Sequence, residues 1–134
     1  MSVYNETFEF ETRGEFDFVN LTPKVKSIVK SSKIKEGIAV VYAGHATGVI
    51  ILNEFDNALI KDLKEFLKSL LPAEKSYSHP VNASAHLRSM IFTPSRVIPV
   101  HNGRLGLGVW QSLYWIEAER RPRQRRVEVT IVGV

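Results

Sequence analysis

The sequence predicts an α+β fold in which a largely antiparallel β-sheet packs with two or three helices. Three observations carry that expectation. Two-residue alternation of apolar and polar residues occurs near both ends of the chain, in Thr7–Thr12 and from Val127 to Ile131. Asn102-Gly103 is a two-residue hairpin signal between β-rich stretches. Between them, Phe55, Leu59, Leu63, Phe66, Leu67 and Leu70 recur at helical spacing.

Taken in order, Thr7–Thr12 is a strand, and Glu15–Phe18 repeats its alternation after Arg13-Gly14, which predicts a hairpin. Thr22 is a good N-cap and Pro23 suits the first helical position. Val25, Ile28 and Val29 form that helix's buried stripe, and Gly37 is its expected end. Ile38–Ala43 is continuously apolar, as for a strand covered on both faces. Gly44-His45-Ala46 breaks it before a second apolar run, Thr47–Leu52. Asn53 is the expected cap of the long helix, with Glu54 and Asp56 in its first turn and Pro72 beyond its end.

Residues 73–81 read as a loop and Ala83–Phe92 as a short helix. Arg96–Val100 is a strand whose Pro99 points to an edge or irregular position. Leu105–Glu117 is the expected return strand, and the arginines interrupt before a closing strand with Val127, Val129 and Ile131 on one face.

At 134 residues the chain is expected to form one domain. Its apolar runs are far short of a membrane span, and no secretion signal is visible, so a cytoplasmic location is the default expectation. The absence of cysteine excludes disulfides and thiolate metal sites. The net charge of +4 is local, because Arg120, Arg121, Arg123, Arg125 and Arg126 cluster and the remainder is near neutral. A local patch points to phosphate or another acidic ligand rather than to nucleic acid, and the arginines themselves read as a solvated turn for most of them, an intersubunit salt-bridge cluster, or phosphate capture by one or two.

With no thiolate available, imidazole must do most of the work of holding a transition metal. His45 follows a glycine at a strand break, where it either enters a site or bonds to backbone. His79 precedes a proline in the loop. His86 lies four residues after Asn82, so the two share a face of the short helix. Three histidines in three such settings fit a facial metal site with an open position. His101, in the hairpin turn, reads as exposed and uninvolved. Glu54 is either a helix-start charge or a metal ligand, supporting partner or general base. Gln111 is a polar group in an otherwise apolar strand row, which favours a cavity over a backbone tie. Glu117 is either a surface charge at a strand end or the partner of one arginine.

These motifs occur in a distinctive order: His45-Ala46-Thr47, Asn53-Glu54, Tyr77-Ser78-His79, Asn82 with Ala85-His86-Leu87, Asn102-Gly103 leading to Leu107-Gly108-Val109-Trp110-Gln111, then Arg125-Arg126-Val127. The order and spacing resemble the YjbQ-like family, whose members often carry the label secondary thiamine-phosphate synthase. The resemblance runs through nearly the whole chain. It implies an α+β fold, a homotrimer and a site between neighbouring subunits. It implies that His45, His79 and His86 bind metal and that Glu54, Asn82 and Gln111 line the pocket. Glu54 and Gln111 are thereby expected to be catalytic, and Thr47, Asn82, Arg125 and Arg126 to bind substrate.

The family label implies transfer of a pyrimidine-methyl group from its diphosphate to a thiazole phosphate nitrogen. Magnesium would suit such a diphosphate, but imidazole ligands favour zinc. That mismatch directs the expectation to a metal-binding enzyme acting on a small phosphorylated or heterocyclic metabolite, with weak thiamine-phosphate synthase activity as the named candidate. The alternative is a non-catalytic trimer that binds an anion or metabolite.

Overall fold

Strands of equal length near the two ends of the chain pair along their whole length. The computed structural model describes residues 1–134. In chain order the elements are β1 (Ser2–Thr12), β2 (Phe18–Asn20), α1 (Thr22–Ser32), β3 (Gly37–Tyr42), β4 (Gly48–Asn53), α2 (Asn57–Leu70), α3 (Ala83–Phe92), β5 (Ser95–His101), β6 (Arg104–Leu105), β7 (Ser112–Glu117) and β8 (Arg123–Gly133). They form two antiparallel sheets, one ordered β1-β8-β3-β5-β6 and the other β2-β7-β4. No helix is long and apolar enough to cross a membrane.

Side-chain alternation explains the layering. Leu113 and Trp115 of β7 join Ile50 of β4, α1 and the inner face of the larger sheet in one core cluster. Tyr114 and Ile116 point the other way, joining Val49, Ile51, Ile60, Leu67 and Ala85 under α2 and α3. The small sheet is therefore the middle layer, apolar on both faces. Each fully buried side chain of this size is worth about 1.5–3 kcal/mol.

Several expectations change. Residues 15–18 do not fold back on β1, whose second edge stays unpaired; Phe16 and Phe18 pack instead into the cluster under α2 and α3, and β2 joins β7. Thr22 does not cap α1: its hydroxyl accepts from the Leu113 N–H at 2.8 Å and donates to the Leu113 carbonyl at 3.1 Å, tying the helix to β7. The helix ends at Lys33 in the left-handed conformation, and Gly37 instead opens β3. A Cβ on Gly37 would lie 2.0 Å from the Val132 carbonyl oxygen, so close backbone approach requires glycine there. β3 is covered on one face only, with Ile38 and Tyr42 exposed, whereas β4 and β7 are covered on both.

α2 starts three residues later than Asn53 would have placed it. Asp56 is the cap, accepting from the Leu59 N–H at 2.9 Å. The expected apolar stripe is only partly covered, since Phe66 and Leu70 stay exposed while Ile60 and Leu67 are buried. The Asn102-Gly103 turn forms with both residues at positive φ, as a type I′ hairpin needs. Its return strand is short, however. After Leu105 the chain leaves the large sheet and crosses residues 106–111 to begin β7 in the small one. Of the five clustered arginines, Arg123, Arg125 and Arg126 lie within the start of β8, and only Arg120 and Arg121 precede it.

Candidate functional site

β8 alternation decides which arginine goes inward. Arg125 falls in the same inward row as Val127, Val129 and Ile131, and is buried with them. Its Nε donates to Glu117 Oε1 at 2.7 Å and its Nη2 forms a close ion pair with Glu117 Oε2. The same Nη2 reaches the Thr47 hydroxyl at 3.2 Å, and the guanidinium lies 5.1 Å above the Trp115 ring. Glu117 also accepts from the Thr12 hydroxyl at 2.7 Å and the Glu119 N–H at 2.9 Å. Arg125 and Thr47, expected to bind substrate, are thus occupied by an internal network. Glu117 is the buried partner of an arginine, not a surface charge.

His45 stands over this network at the break between β3 and β4. Its ring meets Trp115 edge-on, with centroids 6.1 Å apart. Its Nε2 accepts from the Arg126 N–H at 2.9 Å. Burial lowers its pKa, and the nearby positive charge of Arg125 adds to the effect. The lowered pKa favours the neutral imidazole, the form that ligates metal, but in this conformation its Nε2 lone pair is already engaged by the Arg126 N–H. Beside it, Tyr42, Gly44, Arg126 and Glu128 line a cavity of about 310 Å³.

His79 and His86 come together elsewhere. Their ring centroids are 4.8 Å apart and the planes tilt by 59°. His86 projects from the second turn of α3, and His79 from the preceding loop, which Tyr77 pins by donating to the Pro72 carbonyl at 2.8 Å. Tyr77, Ser78, Ala83, Leu87 and Met90 complete a cavity of about 300 Å³ around the pair. The intervening Val81 has a φ of 74°, a costly conformation for a β-branched residue.

Two of the three expected metal-binding histidines therefore converge, and the third lines a different cavity. No three His, Asp or Glu side chains of the single chain are grouped to hold a metal. The His79–His86 pair offers two imidazoles, and a zinc held there would need at least one further donor. Glu54 is exposed, and only its backbone N–H is engaged, by Asn53 Oδ1 at 2.7 Å. Gln111 is not in a strand row facing a cavity. It sits exposed before β7, its Oε1 accepting from the Gly108 N–H at 2.8 Å, the backbone tie rather than the cavity. Asn82 turns away from His86 and donates to Glu119 Oε1 at 2.8 Å. His101 is exposed beside Glu36, at 3.1 Å.

Sequence reading missed Arg88. It is fully buried, donating to Glu15 Oε2 at 2.5 Å and to the carbonyls of Ala118 and Leu71. Its signal was helical phase, since Arg88 shares an inward face with Ala85.

A middle sheet covered on both faces, an outer five-stranded sheet and a loop-and-helix histidine pair define the class: small α+β proteins built as β/β/α layers. The fold closely matches a YbjQ-like protein of unknown function from Sulfolobus solfataricus, with a TM-score of 0.96 and 32% identity over 99% of both chains. It also matches a hypothetical protein from Aeropyrum pernix, at a TM-score of 0.87 and 34% identity over 96% of this chain and 99% of that one. A UPF0047 protein of Methanothermobacter thermautotrophicus is 34% identical over 136 residues, covering 99% of this chain and 94% of the relative. The chain belongs to the UPF0047 YjbQ-like family, whose model matches residues 6–134.

Proposed function

We propose that this protein is a metal-binding enzyme that acts on a small phosphorylated or heterocyclic metabolite at a site shared between protomers of a homotrimer. The observation that carries the reading is the His79–His86 pair, 4.8 Å apart in a cavity of about 300 Å³ with no third donor from its own chain. His79 and His86 would hold zinc, and His45 of the partner subunit, on releasing the Arg126 N–H, would supply the third imidazole. Bound there, zinc would polarise a substrate oxygen as a Lewis acid.

A second observation supports assembly. The outer face of the large sheet exposes the apolar side chains of Val3, Ile38, Tyr42 and Val97 around a polar strip on β1 and β8, and Tyr42 also lines the His45 cavity. A second copy of the chain on that face would bury these residues and bring a neighbour's loops to His45. Glu54 and Gln111, exposed and outside both histidine cavities, would join the chemistry only from such a neighbour. Arg126, exposed beside His45, is the arginine placed at that cavity for a substrate phosphate. Thiamine-phosphate synthesis is the first transfer to assay.

Elemental analysis of tag-free protein, paired with light scattering, tests the proposal. The expected result is a trimer with stoichiometric zinc, which His86→Ala strips of metal while leaving it folded. A monomer, or an assembly that stays metal-free after zinc loading, overturns it.

A further inference from the structure

We propose that the start of α3 is an inorganic phosphate site that selects its ligand by the proton the ligand carries. It stands apart from the imidazoles, because none of them lines this cavity, and it does not depend on the metal reading.

α3 has ten residues, and its first turn is open. The backbone N–H groups of Ala83 and Ser84 have no partner in the chain, and Asn82 at the cap position makes no side-chain cap. Unclaimed N–H groups at a helix start favour an anion. The second observation is Ser84 itself. It is only 4% exposed, its hydroxyl has no hydrogen-bond partner, and it lines a cavity of about 260 Å³. Arg120 and Arg121 line the same cavity. Arg121 forms no ion pair within the chain, and Arg120 touches only Glu74, at 3.6 Å. Open helix N–H groups, a free hydroxyl and two guanidinium groups together form a set of donors for a tetrahedral oxyanion.

Glu119 decides which oxyanion. It is 4% exposed in the same cavity, with Oε1 accepting from Asn82 and Oε2 left without a partner. A carboxylate can only accept. A ligand oxygen bearing a proton donates to Oε2, whereas a bare oxygen meets it as two acceptors in contact. Inorganic phosphate retains an O–H at neutral pH. Sulfate has none, and a phosphate monoester, with a second pKa of about 6, has lost its own. The site therefore takes hydrogen phosphate and rejects the other two.

Calorimetric titration at pH 7.5 of EDTA-treated protein with inorganic phosphate, sulfate and glycerol 3-phosphate tests this. Phosphate should bind at least about tenfold more tightly than either of the others, one mispaired hydrogen bond to a charged group being worth that much. Arg121→Ala, a surface change, and Ser84→Ala should each weaken phosphate about tenfold. Glu119→Gln supplies an N–H donor, so sulfate and the ester should bind within about threefold of phosphate. No phosphate binding, equal binding of all three by the unaltered protein, or phosphate binding untouched by Arg121→Ala overturns the proposal. EDTA treatment keeps its failure separate from failure of the metal site.

Discussion

The Glu117–Arg125 cluster and the His79–His86 pocket are both built from polar side chains, and they are satisfied in opposite ways. Glu117 and Arg125 are essentially sealed from solvent, and their hydrogen bonds go to each other, Thr12, Thr47 and the Glu119 backbone. His79 and His86 face a cavity, make no side-chain hydrogen bond, and follow one another across a strained Val81. A saturated network has nothing left for a ligand, whereas a pair with free lone pairs on a strained loop does. Proximity of charged residues alone therefore does not mark a site.

The contrast fails if the internal cluster proves dispensable. Arg125→Met should cost about 3–5 kcal/mol in denaturant unfolding, because it leaves Glu117 buried and unpaired. A loss under about 1 kcal/mol would mean that water reaches the pair and that Arg125 is free for other work. At the pocket the pattern should invert. The double change His79→Ala with His86→Ala should shift stability of the metal-free protein by no more than about 1 kcal/mol, yet remove tight metal binding. A large loss of apoprotein stability would make the pair a packing feature.

Val81 sharpens the comparison on a smaller scale. Val81→Gly should stabilise the protein by about 0.5–1 kcal/mol, the relief of a left-handed β-branched residue less the added chain entropy of glycine. Destabilisation on thermal melting would show that the valine side chain is needed despite its exposure. The smallest effect belongs to His45. Its pKa is lowered in the fold, so the unfolded chain binds the proton more readily. The neutral ring's contribution is complete above the unfolded value of about 6.5 and is lost as pH falls below it. A melting-temperature profile should decline less between pH 7 and 5 in His45→Gln than in the unaltered protein. Identical profiles would remove burial as the control on this ring.

Much of the fold was legible because it follows from local periods. The alternation from Val127 to Ile131, the Asn102-Gly103 turn, the stripe of α1 and the span Ala83–Phe92 all appear where side-chain spacing placed them. Errors arose where two partners competed for one segment. Residues 15–18 alternate well enough for a hairpin, but Phe16 and Phe18 are drawn into the core under α2 and α3, and β2 pairs with β7. Leu105–Glu117 reads as one strand, yet two sheets share it. For the site, the histidines were visible as residue types, and the pairing of His79 with His86 followed from a short loop leading into a helix. Arg125 misled because five arginines look alike until strand phase assigns one of them to the interior.

By itself the sequence determined the kinds of element and the inward rows of α1 and β8, since these depend on residues near one another along the chain, and it determined the family through the order of motifs along its length. The tertiary structure alone decided which carboxylate meets Arg125, that Asn82 spends its hydrogen bond on Glu119, and that His45 stands apart from the other imidazoles. Those outcomes depend on register between strands far apart in sequence, where a shift of one residue turns every side chain to the opposite face.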